Sequence, residues 1–395
     1  MNAAGLATAE IPKFLNADWS FGKAARPILF LTINNGAAHT RAAEAIARAW
    51  QKINRDIPTR VIEVSAFMSP LARFTHITAY LWLVKNAPRV WEKIDAYQKR
   101  QTRTSPEWFY RRECRKLFEL VEQIQPAAIV TTEVGCGEIA ALIKRDLQLN
   151  APLVAVSLDY DADRAWIQPE VDFYCTASER VRESFIKSGM DAEKIGTWGV
   201  PLEEVFAESF SKETARHKVC EWLNLPENAP LILVAGGGEG LGKIKEIAAR
   251  LLEIKFNKSI VVLTGRNQKL KRECERLAEY SNDLKILDWT ERVSELFRAA
   301  DILVSKLGIT FEEACACGLP VVALPPPPGA ERAQYDLLEK NGIGRAVKTV
   351  EEAGRAVEQL LADKQALAQM SLRAKAFSRA DAASKIAGWL AAEIV

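Results

Sequence analysis

Three groups of residues in this 395-residue chain have the types and spacing to do chemistry. The first is a histidine, one of three in the sequence. His39 follows the apolar run Ile28 to Ile33 and the break Asn34-Asn35-Gly36, and precedes a stretch whose Ala42, Ala43, Ile46, Ala49 and Trp50 recur at helical spacing. An imidazole at a strand-to-helix turn lies where open α/β sheets bind ligands, so the position suits a general base; packing or capping is the bland alternative. The second is "AGGGEGLGK", in which five glycines separate an apolar run ending at Ala235 from a helical pattern starting near Lys243. Glycines let a ligand approach the backbone, and the following helix offers unpaired N–H groups and its positive dipole end, an arrangement that cradles a diphosphate. The loop lacks the Lys-Ser/Thr ending of an ATP-hydrolysing P-loop, and no acidic residue follows the next strand to complete a dinucleotide fingerprint. The third is "LDYDADRAWIQPE". Asp159, Asp161, Asp163 and Glu170 match positions 1, 3, 5 and 12 of a calcium loop, but position 6 is Arg164 instead of glycine. The stretch also follows a strand, so it reads as a polar loop at the strand's C-terminal end. Glu133 and Asp159, each just after an apolar run, are the next candidates for a base.

Such groups need a scaffold, and the apolar runs supply one. Runs at 28–33, 60–64, 127–132, 153–158 and 171–176 alternate with helical patterns; a charged, helix-like stretch from about Pro201 to Asn228 interrupts them. The rhythm then restarts at 231–236, 260–265, 285–289, 301–305 and 319–328. This alternation predicts right-handed βαβ units and a parallel sheet in each half. The expected fold class is α/β, with two Rossmann-like domains whose ligand-binding edges face each other across a cleft: residues 1–200, residues 201–375, and a final helix over 376–395 packing back on the first.

Composition narrows the function classes. A hydrophobic content of 48%, a charged content of 26% and a net charge of +2 are ordinary for a water-soluble protein and argue against a general nucleic-acid binder. Seven scattered cysteines without a CxxC pair predict reduced thiols and no structural metal; Cys315 and Cys317 lie in an apolar helical pattern. The amino-terminal stretch has no signal-peptide pattern and no run approaches the roughly 18 apolar residues of a membrane span, so a cytoplasmic location is expected. One segment, 67–116, breaks the βαβ rhythm. It holds Phe67, Phe74, Tyr80, Trp82, Trp91, Tyr97, Trp108, Phe109 and Tyr110, and from Lys99 to Lys116 seven basic residues meet two acidic ones. Aromatic and basic residues at helical spacing suit either an interfacial helix on an anionic membrane or a helical subdomain packed on the sheet.

Taken in order, "NNGAAHTRAAEAI", "DYDADRAWIQPEVDFYCTASE", "GVPL", "GGGEGLG", "TGRN", "DWTERVSEL", "SKLGITFEEACACGLPVV" and "PPPPGAERAQ" resemble one glycosyltransferase family. It includes the mono- and diglycosyldiacylglycerol synthases and, more distantly, the enzyme that adds N-acetylglucosamine to the lipid-linked peptidoglycan precursor. The resemblance runs from about Ile28 to Val347 and implies a GT-B fold, with the UDP-sugar in the second domain and the lipid acceptor on the first. It further implies inversion at the anomeric carbon and no obligatory cofactor. Carried over by position, His39 is the general base. The donor side comprises Gly236, Gly237, Gly238, Glu239, Gly240 and Gly242 at the diphosphate, Trp289 and Thr290 at the uracil, Glu313 at the ribose and Glu331 at the sugar, with Arg266, Lys306, Gly308, Thr310, Gly329 and Gln334 around them. Gly36, Glu133, Asp159, Asp161 and Asp163 form the acceptor side. The chain departs from the family where "KLGIT" is one residue short, where Ala330 replaces a usual glutamine, and where Asp163 replaces a frequent histidine. The implied activity is transfer of a hexose from a UDP-sugar to diacylglycerol or a related glycolipid, by a protein peripheral to the inner face of an anionic membrane and independent of nucleic acid. A nucleotide-sugar epimerase and a non-catalytic nucleotide-sugar-binding protein are the alternatives, since one fold serves several functions.

Overall fold

The computed structural model describes residues 26–33, 37–98, 100–161, 164–325 and 332–394. The chain divides into two compact units, one formed by residues 1–203 with 381–395 and the other by 204–380.

The first unit is built on a six-stranded parallel sheet: β1 (Ile28–Thr32), β2 (Thr59–Glu63), β3 (Ala128–Thr131), β4 (Leu153–Val156), β5 (Phe173–Cys175) and β6 (Ile195–Gly196). The spatial order is β2-β1-β3-β4-β5-β6. Every residue of β1, β3, β4 and β5 is buried, as expected where helices cover both faces of a parallel sheet and the strands become continuous apolar runs. The order reverses direction between β1 and β3, and Leu31 pairs with Thr131 at their C-terminal ends. A crevice opens beyond the strands at such a reversal.

The second unit repeats the plan with β7 (Leu231–Ala235), β8 (Ser259–Leu263), β9 (Leu284–Leu287), β10 (Ile302–Ser305), β11 (Val321–Ala323) and β12 (Gly344–Ala346). Its order is β12-β11-β10-β7-β8-β9, reversing between β7 and β10, where Ala235 pairs with Ser305. Both sheets are thus the doubly wound parallel sheets expected of the chain. The edge strands β6 and β12, of two and three residues, went unread because neither is long enough to show a period. The run at 319–328 contributes only Val321–Ala323, and its last three prolines lie outside the described residues. The charged stretch near 201–228 forms the helices Glu204–Ala207 and Lys212–Leu223.

In the first unit, the helix Val134–Asp146 is the centre of the core. Nine of its residues are buried, beside Leu29, Leu31, Ile129, Tyr174 and Phe185. The segment after β2 departs from the sheet as a chain of short helices: Pro70–Arg73, a π turn Phe74–Thr78, Ala79–Asn86, Pro88–Gln98, Glu107–Glu113 and Arg115–Ile124. Proline opens two of them, at the first helical position where its missing N–H is not needed. The last helix, Ala382–Ile394, belongs to the first unit; Ile386, Ala387 and Leu390 are fully buried, and Trp389 stacks on Phe173 with ring centroids 4.6 Å apart.

Candidate active site

His39 stands in the first turn of the helix Ala37–Ile53, just past β1. Its ring Nδ1 lies 2.5 Å from the carbonyl oxygen of Thr132, the residue after β3. A carbonyl can only accept, so Nδ1 carries a proton and donates it, and in the neutral ring Nε2 is the atom that holds the lone pair. The same threonine returns a bond: its buried hydroxyl donates to the His39 carbonyl at 3.0 Å. His39 is therefore fastened to the sheet at two points, by its ring and by its main chain, on the strand ends where the sheet reverses. That is the geometry of an oriented base. Thr132 is 93 residues from His39 along the chain, and nothing in its local sequence announces it.

The other acceptor-side residues behave differently. Glu133 caps the helix Val134–Asp146, its Oε2 accepting from the Cys136 N–H at 3.0 Å, so its carboxylate already serves the helix end. Asp161 pairs with Arg180 at 3.2 Å. Asp159 is half-buried at the end of the loop after β4. Gly36 and Asp163 lie outside the described residues, as does the turn that contains Gly36. Thiols take no part: all seven cysteines are free and buried, and burial pushes Cys114 and Cys317 up to about 12 and Cys274 up to about 11.

In the second unit the glycine loop follows β7 and Lys306 follows β10, so both sides of the strand-order reversal contribute. The loop is a tight, ordered turn: Leu241 N–H donates to Gly236 O at 2.9 Å and Gly240 N–H to Gly237 O at 3.0 Å. Gly240 has φ +58°, and a Cβ there would stand 2.6 Å from the Thr264 carbonyl oxygen, so no other residue fits. Helix Ile244–Leu252 begins beyond it with no side-chain cap, leaving its first N–H groups for a ligand. Gly237, Gly238 and Glu239 are the more open part of the turn, and the Lys306 side chain comes within 3.6 Å of where a Gly237 Cβ would be. A cation and a row of backbone donors converge there, which suits a diphosphate.

Around this loop the donor-side residues form three contacts. Arg266 lies over the Trp289 ring at 3.8 Å, and a Cβ on Gly238 would touch that ring at 3.2 Å, so the indole, the guanidinium and the glycine turn are stacked in one layer. Gln334 is buried and binds both sides of the Gly308 backbone, accepting from its N–H at 2.7 Å and donating to its carbonyl at 3.5 Å. Glu313, on the helix Ile309–Ala316, is 2% exposed and so is not a solvated surface glutamate. Thr310 is half-buried in the same first turn, and Thr290 Oγ1 accepts from the Arg292 N–H at 3.1 Å. Gly329 and Glu331 lie outside the described residues.

Both units are similar to known protein families. Residues 39–202 match the monogalactosyldiacylglycerol (MGDG) synthase model, and residues 223–377 match the model of glycosyl transferases group 1. A processive diacylglycerol beta-glucosyltransferase of Bacillus licheniformis is 28% identical over 358 residues, covering 88% of this chain and 90% of that protein. Among solved structures, MurG of Acinetobacter baumannii is similar with a TM-score of 0.63 and 15% identity, covering 93% of this chain and 99% of that one. Anabaena HepE in complex with UDP-glucose follows at a TM-score of 0.56 and 16% identity, over 93% and 99%.

Proposed function

We propose that this chain, which is similar to the monogalactosyldiacylglycerol synthase model over residues 39–202 and to the glycosyl transferases group 1 model over residues 223–377, moves a hexose from a UDP-sugar to the hydroxyl of a lipid, diacylglycerol or a glycolipid built on it, with inversion at the anomeric carbon. The observation that carries this reading is His39: a ring held by a carbonyl at Nδ1, which makes Nε2 the basic atom of its neutral tautomer, on the edge of the sheet where ligands bind.

In the proposed step Nε2 takes the acceptor hydroxyl proton as its oxygen attacks the anomeric carbon. The bond from that carbon to the diphosphate oxygen breaks, and UDP leaves with the bonding pair. General base catalysis lowers the barrier for attack, and preorganised N–H groups with Lys306 stabilise charge on the departing diphosphate. Glu313 accepts from the ribose hydroxyls, and the Trp289–Arg266 layer lies beside the nucleobase. Gln334 acts indirectly, by fixing Gly308.

A lipid acceptor stays in its bilayer, so we place the segment 67–116 on an anionic membrane surface. Leu71, Phe74, Trp82, Val90, Tyr97 and Trp108 are exposed there, Trp82 at 58% and Trp108 at 63%. No helix among the described residues is long and apolar enough to cross a membrane, which fits a surface attachment. Other aromatics of the segment turn to the core: Tyr110 is buried, and Phe67 and Phe109 pack against it. The basic residues divide too. Arg111 is committed to Glu107 and Asp146, whereas Arg112 and Arg115 keep side-chain exposures of 77% and 72%.

Incubating purified protein with a panel of UDP-sugars and diacylglycerol vesicles, then weighing the lipids by mass spectrometry, tests the activity. A lipid carrying one or more added hexoses is the expected product. Isomerised UDP-sugar with unchanged lipid would make the chain an epimerase, and donor binding without any turnover would make it a sensor.

A further inference from the structure

The loop at residues 100–106 fastens the exposed aromatic segment to the core of the first unit. It joins helix Pro88–Gln98 to helix Glu107–Glu113, and side chains from several elements hold it. Glu138 Oε1, from within the helix Val134–Asp146, accepts the Thr104 N–H at 2.7 Å. The Gln168 amide donates to the Thr102 carbonyl at 3.3 Å, and the Thr104 hydroxyl meets the Tyr110 hydroxyl at 2.9 Å. From the outer side His76 Nε2 is 3.2 Å from Ser105 Oγ, and its ring stacks on Phe109. Glu138 has no exposed surface at all. The seat is also incomplete: Glu138 Oε2, Arg103 Nη1, Trp166 Nε1 and Glu170 Oε2 are buried with no hydrogen-bond partner among the described residues. Buried polar atoms without partners make the docked loop costly, and opening it would give water to Glu138 and Arg103, which lie at the loop itself.

We propose that Glu138 is a positioning residue that works as a proton-operated latch: its neutral carboxyl lets the 100–106 loop, and the aromatic segment behind it, seat on the core, and its ionisation unseats them. A charged carboxylate buried in the core is penalised far more than a neutral acid. Burial, the largest cause, pushes the Glu138 carboxyl up to about 7, opposed by the Thr104 N–H and by the Thr104 and Tyr110 hydroxyls, with the Glu133 charge adding to it. The titratable and charged groups on the surrounding elements are Glu133 and Cys136 on its own helix, Tyr110, Arg103 and Glu107 on the segment, His76 outside the loop, and Arg145 with Glu170, which pair at 3.5 Å. Glu107 binds Arg103, Arg111 and Arg145 at 2.9, 3.0 and 2.6 Å, and its carboxyl is held below the usual range, so that cluster stays charged across the relevant pH. The carboxyl's acid range is higher docked than in water, so the latch is tightest in acid and weakens as pH rises toward neutrality. The bearing of the latch on acceptor access rests on the lipid-acceptor reading. Its test uses no substrate, so the two can fail separately.

Amide hydrogen exchange across residues 100–113 of the full chain, corrected for intrinsic rates, reads the latch directly. Protection should fall roughly twentyfold between about pH 5.5 and 7.5, following one proton, and Glu138→Gln should flatten that dependence. Protection that does not change with pH in the wild type, or an unaltered slope in Glu138→Gln, overturns the proposal. Should the variant fail to fold by circular dichroism, tryptic cleavage after Arg100 and Arg103 in the wild type decides it. Cleavage should accelerate with pH beyond that of a free peptide of the same sequence, and parity with the peptide rules the latch out.

Discussion

A base must offer a nitrogen without a proton, and His39 is given one by a single carbonyl across the sheet. Replacing His39 with alanine should lower turnover by roughly 10²-fold or more while leaving UDP affinity nearly intact, measured by steady-state kinetics beside calorimetry. Turnover near the wild-type level would remove it from the mechanism. On the donor side, Glu313→Ala should weaken UDP binding by about 1.5–3 kcal/mol, the range for hydrogen bonds to a charged group, and an unchanged calorimetric affinity would contradict a ribose contact. Glu133→Ala should instead cost about 1 kcal/mol of stability through its cap, read in a denaturant midpoint. At this scale the sequence showed which residue types were available but not their commitments. His39 stood out by type and position, whereas Glu313 was indicated only by the family resemblance. That Glu133 is occupied by a helix end, that Arg111 is bound to Asp146, or that Thr132 orients the histidine depends on contacts 3 to 93 residues distant.

At the scale of elements, the glycine turn after β7 shows how backbone shape precedes chemistry. Its carbonyl and N–H groups close the turn on itself, and Gly240 is pressed against the strand end at Thr264. Gly240→Ala should therefore destabilise the second unit by about 1–3 kcal/mol and weaken UDP binding together, seen as a lower Tm and a loss of ligand-induced stabilisation. A variant with wild-type Tm and affinity would mean the turn has room to relax. The long strands were legible because burial on both faces writes them as unbroken apolar runs; β6 and β12 were not, since a two- or three-residue edge carries no pattern. The segment 67–116 was legible only as an interruption. Its aromatics have one spacing in the sequence but two destinations, with Tyr110 in the core and Trp108 outside, because the loop ahead of them fixes which face turns inward.

For the whole molecule, the exposed aromatics and exposed arginines of the first unit predict salt-sensitive attachment to anionic vesicles. Sedimentation with phosphatidylglycerol vesicles should fall with salt and in Arg112→Glu/Arg115→Glu, at roughly 1 kcal/mol per basic residue near the surface, and Trp82→Ala should weaken what salt leaves. Protein that stays in the supernatant at low salt would favour a soluble acceptor. The doubly wound architecture of each unit was readable from the alternation of runs; the last helix, expected to return to the first domain, is held there in part by Phe173 and Trp389, 216 positions apart, stacking together. That helix has a consequence for biogenesis. A ribosome makes residues 204–380 before it makes Ala382–Ile394, so the second unit has its whole sequence in hand while the first still waits for Ile386 and Leu390 to cover its core. Of the two units, the one begun first is thus covered last, and a nascent chain arrested after Ala380 would carry the whole sequence of the second unit while the first still had an open apolar flank, a natural station for a chaperone.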